Sequence, residues 1–180
     1  GTSQEPTSPS YDHHAYLWGF GGVLSAFNAV VQHTDNLAFR TKYEATLKSS
    51  LTKYNNNSKV PPCYACFVNT HDTRLYDDAI WIGIDLADLY IKTTDSWYID
   101  NAKMVWNFIM SGTDNVLGGG LSWEEDNKNS KNTCSNAPAA VLGVKLYQAT
   151  NNAEYLNTAK ELYQWTKTPL QDPPAYRYSD

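Results

Sequence analysis

Leu142-Gly143-Val144-Lys145-Leu146-Tyr147-Gln148-Ala149-Thr150-Asn151-Asn152-Ala153-Glu154-Tyr155-Leu156-Asn157-Thr158-Ala159-Lys160-Glu161-Leu162-Tyr163-Gln164-Trp165 decides the fold. Its apolar residues recur at three and four on both sides of a short polar break, the spacing of two helices joined by a turn. The same layout stands upstream, where Gly83-Ile84-Asp85-Leu86-Ala87-Asp88-Leu89-Tyr90 runs through Thr94-Asp95 into Trp97-Tyr98-Ile99-Asp100-Asn101-Ala102-Lys103. Tyr90 corresponds to Tyr147, Tyr98 to Tyr155, and Ala102-Lys103 to Ala159-Lys160. A looser third copy passes through Tyr16, Leu24, Phe27 and Val31, breaks at Thr34-Asp35-Asn36, and resumes through Phe39, Tyr43 and Leu47. The Thr, Asn and Asp side chains of each break can accept from the free N–H groups of the following helix. Hairpins repeating at roughly sixty residues predict an all-α chain whose inner helices line a central depression, as in an (α/α)6 toroid. Three of six hairpins are expected here. Pro169-Leu170-Gln171-Asp172-Pro173-Pro174-Ala175-Tyr176-Arg177-Tyr178-Ser179-Asp180 reads as a loop and not a helical cap. The expectation is therefore a toroid domain over residues 11–180, incomplete at its C-terminus, after a linker at 1–10.

Composition narrows what such a chain can do. With 180 residues, 42% apolar and 13% aromatic, it can build a proper core, and six Trp with thirteen Tyr exceed what that core needs. Surplus aromatics suit a cleft for flat, amphipathic ligands. A net charge of −5 with scattered lysines offers no patch for nucleic acid or anionic membrane, so a neutral partner is expected. No apolar run approaches the roughly 20 residues of a membrane span. Residues 1–10 look like the solvated remnant left after an export signal, which predicts an exported protein: secreted, periplasmic or held at the surface. Cys63 and Cys66 form a Cys-x-x-Cys pair with only Cys134 besides, too few thiolates for a zinc site. A local disulfide and free thiols both remain open.

The chemistry centres on Tyr76-Asp77-Asp78-Ala79-Ile80-Trp81. Adjacent acids inside a helix diverge by about 100° and cannot serve one substrate. At a helix start the constraint relaxes: with Asp77 as N-cap and Asp78 as first helical residue, both carboxyls can enter one cleft. The helix N-terminus favours a charged carboxylate, and that charge makes its neighbour's proton harder to lose. One acid then suits a nucleophile and the other a proton donor, the division needed to cleave a glycosidic bond with retention. An ordinary capping acid followed by a first-turn acid is the structural alternative. The long connections at residues 54–76 and 111–133 lie at one end of the hairpins and are expected to build the site.

This stretch, Gly118-Gly119-Gly120-Leu121-Ser122-Trp123 and Lys131-Asn132-Thr133-Cys134-Ser135-Asn136-Ala137-Pro138 together resemble, in this order, glycoside hydrolase family 76, the endo-α-1,6-mannanases. The resemblance covers residues 70–172 well and the first hairpin loosely. It implies that Asp77 is the nucleophile and Asp78 the acid/base, and that Tyr76, Trp81, Gly119, Gly120, Trp123, Ser135 and Asn136 surround the sugar. Asn136 also reads as a cap for a helix starting at Pro138. Two departures stand out: Trp81 is followed by Ile82 where members carry a second aromatic, and the first inner helix has Trp18-Gly19-Phe20. The expected activity is retaining endo-hydrolysis of α-1,6-mannan by a monomer, with no metal or organic cofactor. A wall-building transglycosidase and a non-catalytic glycan-binding protein are the alternatives.

Overall fold

The computed structural model describes residues 14–68, 73–172 and 177–178, with side chains described as far as residue 168. The linker expected at 1–10 lies outside the described residues. Among the described residues six α-helices form three antiparallel hairpins: α1 (Leu17–His33) with α2 (Leu37–Thr52), α3 (Tyr76–Thr93) with α4 (Ser96–Met110), and α5 (Thr133–Thr150) with α6 (Ala153–Leu170). Helix α3 is central, packed on α1, α4 and α5. Thus α1, α3 and α5 stand side by side as the inner row, each backed by its own partner. Among the described residues no helix is long and apolar enough to cross a membrane.

The repeat is written in the turns. Thr94 (φ 58°) and Asn151 (φ 57°) take the left-handed conformation at the ends of α3 and α5, and their N–H groups bond Tyr90 O at 2.8 Å and Tyr147 O at 2.7 Å. The next residue in each case caps the following helix: Asp95 accepts from Trp97 N and Asn152 from Glu154 N, both at 3.0 Å. In the looser first hairpin Asn36 accepts from Phe39 N at 3.0 Å, but the chain leaves α1 extended at Thr34.

Burial follows the helical spacing. Ala79, Ile80, Ile82, Leu86, Ala87 and Leu89 of α3 are completely buried. On its α1 side the contact is polar: buried Asp85 accepts from Ser25 Oγ at 2.5 Å and Asn28 Nδ2 at 2.7 Å. Burial raises the Asp85 carboxyl while those two donors hold it down. On the α5 side Lys145 Nζ meets Asp88 at 2.5 Å. Gly83 lets three helices converge, because a Cβ there would stand 2.8 Å from Leu142 Cδ2 and 2.9 Å from Val105 Cγ1.

Two features differ from the sequence reading. The connection at 54–76 holds a small ladder, β1 (Asn55–Asn56) with β2 (Cys63–Tyr64), too short to show alternation. The segment expected as a terminal loop begins inside α6 and continues into β3 (Gln171–Asp172) paired with β4 (Arg177–Tyr178). Proline tolerates neither pattern's interior well, which hid both.

The crowding at Gly83 gives the first prediction. Gly83→Ala should lower unfolding free energy by ~1–3 kcal/mol through overpacking, although alanine is the better helix former by about 1 kcal/mol. Denaturant unfolding with an unchanged m-value checks it.

Candidate active site

Asp77 and Asp78 occupy the first turn of α3, but Asp77 is not its cap. The N-cap is Leu75, in extended backbone and without a side-chain bond to the helix. A neighbouring loop does the capping: Tyr76 N donates to Trp123 O at 3.0 Å, and Leu75 bridges Glu124. Since loop backbone accepts that N–H, the Asp77 carboxylate is released for other contacts. It turns back along the helix mouth, with Oδ1 accepting from Asp78 N at 3.0 Å and Oδ2 from Trp123 Nε1 at 2.9 Å. That turn, rather than a capping geometry, brings two first-turn acids under each other's influence.

Asp78 faces a different neighbour. Cys66 Sγ donates to Asp78 Oδ2 at 3.8 Å. Burial, followed by the Asp77 charge, pushes the Asp78 carboxyl up to about 6, with the thiol contact pulling slightly the other way. Burial, together with these acids, pushes the Cys66 thiol up to about 12, so it stays protonated and donates. The backbone of Cys66 is fixed on both sides: its N–H bonds Thr73 O and its carbonyl accepts from Leu17 N, both at 3.0 Å. The Cys-x-x-Cys pair is thus two buried thiols outside any disulfide, Cys63 and Cys66, with Cys134 exposed.

Both flanks are held by Arg74. Its completely buried guanidinium donates to both oxygens of Glu125, to Oε2 at 2.8 Å, and to Pro61 O at 2.7 Å, and lies 4.6 Å over the Phe108 ring. Lys59 adds a contact to Asp126 at 2.9 Å. One cation thereby joins the segment carrying Cys66 to the loop carrying Trp123.

The other expected site residues divide. Trp81 lies one turn beyond Asp77 and is 42% exposed, on the same face as the acid. Tyr76 is completely buried, its ring 4.7 Å from that of Phe108. Gly119 (φ 122°) and Gly120 (φ 81°) take backbone that side chains rarely adopt, and a Cβ on Gly120 would stand 2.6 Å from the Trp165 ring. These glycines line a cavity of about 500 Å³ with Asp114, Glu161 and Trp165. Lys131 Nζ braces the turn through Asp114 Oδ1 and Gly119 O, both at 2.6 Å. Ser135 and Asn136 are completely buried. Asn136 sits in the first turn of α5, whose N-cap is Asn132 and not Asn136, and Pro138 lies inside the helix. Its amide exchanges hydrogen bonds with Leu121, 2.6 Å from N–H and 2.8 Å to O. Trp18, at the start of α1, is 61% exposed at the same mouth, because Leu17 bonds Cys66. Sequence reasoning missed Cys66, Arg74 and Glu125; only the position of Cys-x-x-Cys just before an inner helix hinted at the first.

The family model for glycosyl hydrolase family 76 matches residues 1–180. The chain belongs to that family. A family 76 mannosidase from Bacteroides thetaiotaomicron VPI-5482 superposes with a TM-score of 0.87 at 31% identity, over 97% of this chain and 48% of that one. An α-1,6-mannanase variant of Salegentibacter sp. HEL1_6, described as inactive with two consecutive aspartates replaced by asparagine and bound to α-1,6-mannotriose, gives 0.72 at 29%, covering 87% and 43%. A Schizosaccharomyces pombe protein named for mannan endo-1,6-alpha-mannosidase activity is 27% identical over 170 residues, 89% of this chain and 37% of its own length. The chain spans less than half the length of these family 76 relatives, and its six helices are the corresponding part of their (α/α)6 toroid.

Two predictions arise here. Asp78 is raised in the folded state relative to its ordinary value of 3.8, so the stability it contributes is present below that value and is lost as pH rises through about 6. Asp78→Asn should therefore raise the melting temperature at pH 7 to 8, with the gain vanishing near pH 4 in calorimetric scans. Glu125→Ala strands a buried cation and should cost ~3–5 kcal/mol in denaturant unfolding.

Proposed function

We propose that the protein is a retaining endo-α-1,6-mannanase, with Asp77 as nucleophile and Asp78 as acid/base. The observation that carries this reading is the unequal setting of two adjacent carboxyls: Asp77 is oriented by Asp78 N on Oδ1 and Trp123 Nε1 on Oδ2, whereas burial and the Asp77 charge push Asp78 up to about 6. The consecutive aspartates replaced in the inactive mannanase variant, and the α-1,6-mannotriose it holds, support the same pair and substrate.

In the first step an Asp77 oxygen attacks the anomeric carbon as the bond to the leaving sugar's oxygen breaks, and Asp78 gives that oxygen its proton. In the second, Asp78 takes a proton from water, whose oxygen displaces Asp77 and frees the sugar. Exposed Trp81 offers a ring face to a mannose beside Asp77. A polymeric mannan is met outside the cell, which agrees with an exported, monomeric enzyme.

Asp78→Asn should lower kcat/KM on α-1,6-mannan by ~10²–10⁴-fold, and Asp77→Asn should abolish cleavage. Near-normal turnover in either variant overturns the roles. Proton NMR of the first-formed product should show the α-anomer, and early products should be mixed oligosaccharides; a β-anomer or mannose alone would refute retention or endo action.

A further inference from the structure

We propose that Trp123 and Cys66 are positioning residues that divide the acid pair between them, the indole N–H orienting the Asp77 carboxylate for attack and the weakly donating thiol orienting Asp78 while leaving it able to carry the proton. This rests on the roles given to the two acids above. The two donors differ in the way the chemistry requires. An indole N–H is a firm donor, and at 2.9 Å from Asp77 Oδ2 it makes a charge-assisted bond, strongest when the acid is ionised. An S–H is a weak donor, and at 3.8 Å it occupies Asp78 Oδ2 without favouring the anion much. A hydroxyl there would bond the anion more strongly and pull the proton off.

The contacts come from two separate connections and neither donor is free to wander. Trp123 is fixed through backbone bonds to Ser130 O at 2.9 Å and from Tyr76 N at 3.0 Å, Cys66 through Thr73 and Leu17. Among the described residues, the titratable groups acting on Asp78 are Asp77 on its own helix and Cys66 from the segment before it. Trp123 therefore works through the nucleophile: the one polar hydrogen of its side chain is already directed at Asp77, which leaves the sugar the ring and not the indole N–H.

Carboxyl-detected NMR on aspartate-labelled protein, assigned with Asp77→Asn and Asp78→Asn, tests the thiol without any need for catalysis. Asp78 should titrate at lower pH in Cys66→Ser and at higher pH in Cys66→Ala, each by at least ~0.5 unit. The tryptophan half is read from the indole N–H proton of Trp123, which should move upfield in Asp77→Asn and stay in place in Asp78→Asn. Thermal unfolding shows that each variant is folded, and the two cysteine variants stand in for each other. If Asp78 titrates unchanged or in the same direction in both, or if the indole responds to Asp78→Asn instead, the proposal is overturned. Trp123→Phe links it to turnover: kcat should fall at least ~10-fold with KM within about twofold, whereas a sugar platform alone would raise KM. Should the NMR responses hold while α-1,6-mannan goes uncut, the proposed activity fails and the division of the pair stands.

Discussion

The buried Arg74–Glu125 pair is the constraint on which the site depends. A guanidinium without solvent access requires a partner, and a carboxylate placed to meet it in a two-pronged contact fixes both position and angle. Here the partner is on the far loop, so satisfying one charge ties together two connections that are distant in sequence. Once Glu125 is seated, the backbone of Glu124 and Trp123 falls against Leu75 and Tyr76. The acid pair inherits its surroundings from that sequence of contacts.

Capping by a foreign loop solves a chemical problem. A carboxylate with both oxygens turned onto helix N–H groups is a poor candidate for attack. In this protein Trp123 O takes that duty for Tyr76, and Asp77 gains an indole partner. The favourable field of the helix start remains. Asp78, one residue on, has burial and a neighbouring charge acting on it together, which push its carboxyl up to about 6.

Much of this was legible in the sequence. Hairpins were visible because Tyr90 and Tyr147, and Tyr98 and Tyr155, recur in matched helical settings, and the acid pair because it opens an inner helix. The cap was not legible: an aspartate before an apolar helix reads as its own N-cap, and nothing local reveals that residues 46 positions away have displaced it. The same distance hid Arg74 and Glu125. Asn136 shows a subtler limit, since its residue type suited a sugar contact, yet its amide is occupied by the backbone of Leu121. Cysteine spacing left a local disulfide and free thiols open, and nothing in it reveals that Cys66 turns toward a carboxylate.

The matched turns at Thr94 and Asn151 lie at the opposite ends of the inner helices from the acid pair. Hairpin closure is therefore encoded wholly at the end remote from chemistry, and the architecture is modular along the helix axis. Connections at the mouth can lengthen or change composition between relatives without disturbing how the helices pair. The buried cation limits that freedom in one respect: the two mouth connections are exchangeable only as a couple, because each carries half of a charge pair the other must complete.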